Sequence, residues 1–254
     1  ATWNVNSLRV RLEHVLKWLE RERPDVLALQ ETKLKDEDFP ADEFRDLGYV
    51  ATFSGQAAYN GVAILSREPP SDVAYGIGDH YADEQKRVLA ATFGSLRLLS
   101  LYVPNGQSVG SDKYGYKLEW LAALRVSLEA ELARHASLLL VGDFNIAPDD
   151  RDVHNPAAWQ GKIMCSPGER AALAAICSLG LSDVFRLFSQ PEKVFSWWDY
   201  RAGAFRRNQG LRIDLMLASR ALSQTCSACR IDKEPRGWER PSDHVPVVAE
   251  FTPS

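Results

Sequence analysis

The sequence has no hydrophobic run long enough to cross a bilayer, which takes about 20 apolar residues in succession, and no visible secretory signal segment. We therefore expect no membrane partner. Only four cysteines occur among 254 residues, too few and too unevenly spaced for a disulfide framework. Cys226 and Cys229 have CxxC spacing, but the sequence offers neither a second pair of zinc ligands nor a thioredoxin-like setting. These absences favour a reducing, cytoplasmic location with structural thiols.

The sequence also lacks an excess of positive charge, since its formal net charge is −4. Nucleic-acid phosphates require positive potential, so this balance argues against such a partner. Net charge alone does not exclude such a partner, because an enzyme that binds a divalent cation must cluster carboxylates, and local basic patches can still face phosphates. Many lysines and arginines are only solvated surface charges. The candidate basic patches are Arg9 with Arg11, Lys33 with Lys35, Lys113 with Lys117, and Arg206 and Arg207 with Arg212.

The feature around which the chain is organised is an unbroken apolar run, residues 138–141, that leads into Gly142, Asp143, Phe144 and Asn145. A short run without a polar face predicts a strand buried on both sides. Side chains alternate along a strand, so Asp143 and Asn145 should share one surface at its end while Phe144 points into the core. Alone, these residues would also suit an ordinary turn.

The remaining pattern alternates strands with helices. A helix capped by Ser7 should end before Pro24, another should start near Lys117, and the long connection 146–167 is typical of a functional loop. Strands are predicted at 25–29, 61–66, 88–93, 96–103 and 247–251, a third helix at 168–179, and ordered segments at 194–198 and 211–217. Both halves repeat the same order of elements. We expect one α/β domain over residues 1–254, a four-layer sandwich of two packed, mainly antiparallel sheets flanked by helices, with the active site where the strand ends meet.

Two common catalytic devices are missing. No serine or cysteine lies in a nucleophile elbow, and no glycine-rich phosphate loop opens a helix. Hydrolysis by water with the help of a metal ion remains, and hard oxygen ligands favour Mg²⁺, with Mn²⁺ able to substitute. The polar residues expected at strand ends are Asn4, Asn6, Glu31, Tyr102, Asn105, Asp143, Asn145, Asp214, Asp243 and His244. Among them Glu31 is the best candidate ligand, although a lone glutamate after a strand is commonly a surface residue.

His244 follows Asp243 and lies beyond Asp214 in the sequence. An aspartate can hold an imidazole in one tautomer and favour its protonated form, which would be a donor for a phosphate oxygen. A single histidine in a loop is more often structural or solvated. The flanking acids favour the functional interpretation.

These residues resemble the exonuclease III family of AP endonucleases, DNA-repair nucleases of bacterial type within the endonuclease/exonuclease/phosphatase superfamily. The resemblance covers essentially the whole chain and rests on several separated motifs in the same order. The motifs are Trp3–Asn6, Gln30–Lys33, Asn60–Ala63, Tyr102–Asn105, Gly142–Asn145, Trp197–Tyr200, Gly210–Asp214 and Ser242–His244.

The resemblance implies a role for each polar residue. Glu31 would be the main metal ligand, with Asn6 and Asp243 near the same ion. Asp143 would orient or deprotonate the attacking water, and Asn145 would fix Asp143 and the phosphate.

Phosphate recognition is implied for a further group. His244, paired with Asp214, would bind the scissile phosphate and stabilise its transition state, while Tyr102 and Asn105 would contact the same phosphate or the leaving oxygen. The other residues expected to bind substrate are Asn4, Lys33 and Arg212.

An apolar pocket for a base-less sugar is also implied, formed by Trp197, Leu211 and Ile213. We further expect the long connection after Asn145 to form one wall of this pocket, with Met164 narrowing its entrance. Plain core packing is the alternative for these residues. The implied activity is Mg²⁺-dependent cleavage of double-stranded DNA 5′ to an abasic site by a monomer, with 3′ to 5′ exonuclease and 3′-end cleaning activity. The alternatives are a phosphatase-type phosphodiesterase of the same superfamily and a catalytically silent nucleic-acid-binding relative, which would have lost the acids.

Overall fold

The computed structural model describes residues 1–252 and contains two mixed sheets of six strands each. The first sheet comprises β1 (Thr2–Asn4), β2 (Val26–Gln30), β3 (Val50–Ser54), β4 (Val62–Ser66), β11 (Cys226–Ile231) and β12 (Val247–Phe251), in the order β11-β12-β1-β2-β4-β3. The second comprises β5 (Ser71–Tyr75), β6 (Val88–Phe93), β7 (Leu96–Tyr102), β8 (Ser137–Asp143), β9 (Leu181–Asp183) and β10 (Asp214–Ser219), in the order β5-β6-β7-β8-β10-β9.

Each sheet has one parallel pair at its centre, and its other pairs are antiparallel. The parallel pairs are β1 with β2 and β7 with β8. Each is joined by a crossover helix, as parallel neighbours require. The helices are α1 (Leu8–Glu22), α2 (Ala41–Asp46), α3 (Asp112–Arg134), α4 (Pro156–Trp159), α5 (Pro167–Cys177) and α6 (Arg220–Ser223). The two halves of the chain are therefore built alike, as their sequence order predicts.

Three apolar clusters separate four layers. One lies between the sheets and includes Ile64 from the first and Val141 and Met216 from the second. A second packs α1 on the outer face of the first sheet, and a third packs α3 and α5 on the outer face of the second. The predicted sandwich of two packed, mainly antiparallel sheets flanked by helices is confirmed.

Several local predictions need correction. Ser7 precedes α1 but its side chain caps nothing, since its backbone turns at φ 96°. Helix α3 begins at Asp112, capped by Ser111. The segment 194–198 forms only isolated bridges, and the connection 146–167 contains α4 and a short 3-10 turn. The strands β3, β5, β9 and β11 were not predicted.

The predicted absences concern membranes and disulfides. Over residues 1–252, no helix has both the length and the apolar character of a membrane span. Cys226 and Cys229 lie on β11 and are free thiols, as are Cys165 and Cys177.

Candidate active site

The polar residues of the sequence motifs meet at one edge of the sandwich. Strands β1 and β2 deliver Asn4 and Glu31 from the first sheet, while β8 delivers Asp143 from the second. Asp214, the first residue of β10, is the direct antiparallel neighbour of Asp143. His244 precedes β12 and pairs with Trp197 through an isolated bridge. The expected meeting of the strand ends is therefore observed.

The backbone turns sharply where these strands end. Asn6, Glu31, Lys33 and Asn145 all adopt left-handed conformations, with φ between 46° and 54°. Non-glycine residues seldom do so, and such strain persists only where surrounding contacts enforce it. Backbone hydrogen bonds hold these turns in place. For example, Ser7 N donates to Glu31 O at 2.8 Å.

Gly142 explains how β8 brings its aspartate so close to β7. Its φ is +141°, and a Cβ atom there would lie 2.0 Å from the carbonyl oxygen of Leu101. Only glycine permits this approach of the two backbones. The resulting register sets Tyr102 directly beside Asp143.

Four buried residues form what we term the proton half of the site: Asp143, Asn145, Asp214 and His244, each at most 4% exposed. Asp143 Oδ1 accepts from the backbone N–H of Asn145 at 2.8 Å, and its Oδ2 accepts from the Asn145 amide at 3.2 Å. His244 Nδ1 donates to Asp214 Oδ2 at 2.9 Å. The opposite ring nitrogen, Nε2, lies 3.7 Å from Asp143 Oδ2.

Burial and charge shift both titrations. Burial raises the pKa of Asp143 to about 7, although the nearby His244 charge opposes the shift. Burial alone would lower the pKa of His244, but the carboxylates of Asp214 and Asp143 outweigh it and raise that pKa to about 10. The site thus holds a carboxyl group able to accept a proton near neutral pH beside an imidazolium that keeps its own.

Four partly exposed residues form the cation half: Asn6, Glu31, Lys33 and Asp243. The Lys33 ammonium lies 2.9 Å from Glu31 Oε2 and donates to Asn6 Oδ1 at 2.5 Å. Asp243 accepts from the Asn6 amide at 2.9 Å and from Trp197 Nε1 at 2.9 Å. Burial would raise the pKa of Asp243, but the His244 charge and these hydrogen bonds hold it below its usual value.

Asn4 links the two halves. Its side chain is fully buried, and its amide donates both to Glu31 Oε1 at 2.8 Å and to Asp143 Oδ2 at 2.9 Å. Sequence reasoning assigned Asn4 to substrate binding, whereas here its amide bridges carboxylates from the two sheets. Tyr102 lies near the same carboxylates, and burial together with Glu31 and Asp143 raises its pKa well above the usual value.

The donor set fits a divalent cation. Oxygen atoms of Glu31 and Asn6 already converge on one positive charge, the Lys33 ammonium. Ligand atoms of Glu31, Asp143 and His244 lie within 4.8 Å of one another. Because a protonated imidazole cannot ligate a metal, the carboxylates and amides are the available donors. Oxygen donors of this kind suit Mg²⁺ or Mn²⁺.

A family model described as the Endonuclease/Exonuclease/phosphatase family matches residues 1–244. The chain belongs to this family. It is 37% identical over 262 residues to exodeoxyribonuclease III of Haemophilus influenzae, with 98% of each chain covered. It is 33% identical over 255 residues to DNA repair nuclease APEX1 of Danio rerio, covering 98% of this chain and 80% of that one.

Solved structures of similar proteins have the same fold as this chain. A variant of the 3′ phosphatase NExo from Neisseria, bound to product DNA hairpin, matches with a TM-score of 0.97 and 45% identity, covering 99% of this chain and 98% of that one. An AP endonuclease from Archaeoglobus fulgidus matches with a TM-score of 0.94 and 40% identity, covering 98% and 97%. The predicted family membership is confirmed, and these named relatives are enzymes.

The predicted pocket residues cluster beside the cation half. Leu211 and Ile213 are buried, Met164 is 8% exposed, and Trp197 is partly exposed against them. Met164 adopts φ +68°. The cluster is packed, so Trp197 is the member that borders the open site.

Arg212 lies elsewhere than expected. Its guanidinium is 1% exposed and paired with Asp152 at 2.6 Å and Asp183 at 2.6 Å. Lys117, expected in a basic surface patch, is fully buried beside Glu169. Neither side chain has access to a substrate phosphate in this structure.

Asn105 and Tyr102 border an open groove of about 780 Å³ that continues past Arg87 and Lys113. Asn105 donates from its amide to Asn145 Oδ1 at 3.0 Å. The groove therefore meets the site at Tyr102 and Asn105.

Sequence reasoning missed several positioning residues. The Ser196 hydroxyl accepts from the backbone N–H of Ile213 at 3.1 Å and of Asp214 at 3.0 Å. Ser242 lies within a recognised motif and donates to Asn4 O at 2.8 Å. Tyr200, at the end of another motif, accepts from the amide of Asn6 at 3.3 Å. Motif membership was the available signal for the last two.

Proposed function

We propose that this chain is a divalent-metal-dependent DNA-repair nuclease that hydrolyses phosphodiester bonds at abasic sites and phosphate ester bonds at 3′ ends of duplex DNA. The observation that carries the proposal is the buried pair of His244 and Asp214 beside Asp143, at the point where the partly exposed Glu31 can hold a cation. The named activities of the relatives support the substrate class.

The proton half would perform the chemical step. Ionised Asp143 would orient water for in-line attack and accept its proton, while Asn145 keeps the carboxylate in place through its two bonds to it. The His244 imidazolium, fixed by Asp214, would donate from Nε2 to a non-bridging phosphate oxygen. Its separation of 3.7 Å from Asp143 Oδ2 leaves both groups free to face the same phosphate.

Glu31 and Asn6, with Asp243 adjacent, would hold Mg²⁺, or Mn²⁺ in its place. Bound there, the ion would supply charge stabilisation to the phosphate and leaving oxygen. Lys33 would leave its contacts with Glu31 and Asn6 and contact the substrate phosphate, and Tyr102 and Asn105 would face the leaving side.

We also propose an oligomeric state and a location for the protein. We infer a monomer that acts in the cytoplasm on double-stranded DNA. The net charge of −4 is compatible with this, because carboxylates gathered for the cation account for part of the negative charge.

Abasic sites and 3′ ends place different demands on the site. An abasic sugar rotates out of the duplex at small cost and would need a pocket too small for a base, bordered by Trp197. Processing of 3′ ends is the second candidate for the main activity. Two observations favour it. Leu211 and Ile213 are packed together with Met164, and the Neisseria relative NExo is named as a 3′ phosphatase.

The deciding experiment uses three matched duplexes: one with a single abasic site, one with a 3′ phosphate, and one with a normal 3′ end. Each is incubated with the enzyme in Mg²⁺ and in excess EDTA. We expect cleavage in Mg²⁺ only. Full activity in EDTA, or no cleavage of any duplex, would overturn the proposal, and the relative rates would rank the two candidate activities.

A further inference from the structure

A lysine and a glutamate form an ion pair inside the protein next to the site. Lys117 lies near the start of α3 and Glu169 in the first turn of α5. Both side chains are fully buried, and Lys117 Nζ is 2.5 Å from Glu169 Oε1. The proposed catalytic step uses neither residue directly.

All three protons of the Lys117 ammonium have acceptors. Besides Glu169, they reach the backbone carbonyl of Asn145 at 2.7 Å and that of Asn105 at 3.2 Å. These asparagines follow the parallel strands β8 and β7. The lysine therefore ties together the two strand-end loops of the second sheet.

Glu169 holds a different segment. Its Oε1 also accepts from the backbone N–H of Met164 at 3.0 Å, and its Oε2 accepts from the N–H of Ser166 at 3.0 Å and the Ser166 hydroxyl at 2.7 Å. It thus fixes the end of the connection that carries the packed pocket residue Met164. The pair joins that connection to the loop of Asn145.

Stability alone does not account for such a pair. A buried ion pair is often no more stable than apolar side chains of the same volume, because both charges lose their hydration. Burial lowers the pKa of Lys117, with the charge of Glu169 opposing that shift. What apolar residues could not supply is the set of directed bonds to both loops.

We propose that Lys117 and Glu169 form a positioning pair that couples the Met164 segment to Asn145, and so sets both the hydrolysis rate and the preference between abasic sites and 3′ ends. The route runs from Lys117 through Asn145 to Asp143, whose carboxylate Asn145 holds by two hydrogen bonds. This inference rests on the proposed function. A displacement of about 1 Å at a reacting group can cost about 10²-fold in rate.

The test compares two double variants. Each removes a buried ion pair that has one member on α3. The first is Lys117→Met with Glu169→Gln. The control is Arg97→Met with Glu131→Gln, because Arg97 Nε pairs with Glu131 Oε2 at 2.8 Å and Glu131 lies near the far end of α3. We expect both to lose stability, and only the first to lose about 10- to 100-fold in single-turnover rate with DNA affinity little changed.

A milder variant protects the test against misfolding. Glu169→Gln keeps the shape and one acceptor oxygen, but its amide nitrogen cannot accept from Ser166. It should loosen the Met164 segment and change the ratio of abasic incision to 3′-end digestion. An unchanged ratio in this variant would overturn the coupling.

Two readouts do not depend on the DNA substrate: hydrogen exchange of residues 104–107 and 144–166, and hydrolysis of bis(4-nitrophenyl) phosphate. The first double variant should raise exchange in both segments together and slow this hydrolysis, and the control should do neither. Wild-type rates and unchanged exchange in the folded first variant would reduce the pair to a structural role. If the wild-type protein cleaved no DNA, the proposed function would fail while exchange still decided the coupling.

Discussion

The cation half and the proton half lie side by side but differ in their contact with water. The side chains of Glu31 and Lys33 are 15% and 25% exposed, whereas those of Asp143 and His244 are 1% and 5% exposed. The proposed function requires a hydrated cation and a phosphate to enter the first half. Proton transfer in the second half benefits from a dry setting in which fixed charges act strongly.

The pKa values of Asp143 and Asp243 show this difference between the two halves. Burial raises the pKa of Asp143 to about 7, while the pKa of Asp243 is held below its usual value by His244 and by donors from Trp197 and Asn6. Under the proposed function, one residue type would therefore serve as a proton acceptor in one half and as a permanent anion in the other. Environment rather than residue type separates the roles.

The largest expected effect lies in the proton half. Asp143→Asn keeps the shape but removes the proton acceptor, so the single-turnover rate should fall by roughly 10²-fold or more while DNA binding survives. His244→Asn should do the same through loss of the charged donor. Asp232→Asn is a suitable control, because its carboxylate accepts from Trp18, Arg21 and the backbone N–H of Glu234, none of which belongs to the site. A normal rate in either site variant would remove that residue from the chemical step.

The cation half should respond differently to metal concentration. Glu31→Gln removes a charged oxygen donor, so the Mg²⁺ concentration for half-maximal rate should rise by roughly tenfold or more. Excess Mg²⁺ should recover part of the lost rate. Asp143→Asn should show no such recovery in the same titration. If both variants recovered alike, the division into two halves would be wrong.

A pH profile sharpens the distinction further. The rate should fall below a pH of about 7, as Asp143 is protonated, and above about 10, as His244 loses its proton. The charge of Asp214 raises the pKa of His244, so Asp214→Asn should lower that pKa and move the basic limb to lower pH. At pH 9 the variant should therefore lose more of its rate than at pH 7. A basic limb that stayed in place would assign it to another group.

The sequence predicts the sheets well where strands are buried. The apolar run before Gly142 and the strands 88–93 and 247–251 follow from hydrophobicity alone. The edge strands β3 and β5 were missed because one side faces solvent or a loop and the apolar pattern is weak. Their position depends on pairing with β4 and β6, which a local pattern does not contain.

Local sequence patterns also fail to predict contacts in the site between residues that are far apart in the sequence. Residues inside motifs were found, but the contact of Asn4 with Asp143 spans 139 positions, and the pair of Lys117 with Glu169 spans 52. Arg212 was expected to contact substrate, yet its carboxylate partners Asp152 and Asp183 lie on distant segments. The one available hint that Arg212 is buried was its position in the sequence between two apolar residues, Leu211 and Ile213.

The smallest effect is expected outside both halves, in the packed wall formed by Met164. Met164→Gly removes a side chain that is 8% exposed against Leu211 and Ile213, and it relieves the backbone at φ +68°. Because no ligand of the cation and no proton donor is touched, Mg²⁺ dependence and the pH profile should not change. The wider pocket should favour abasic incision over digestion of a normal 3′ end, shifting their ratio by a few-fold. The control is Met216→Ala, since Met216 packs between the sheets and is 1% exposed. A shift of equal size in the control would show that the ratio follows general stability and not the pocket.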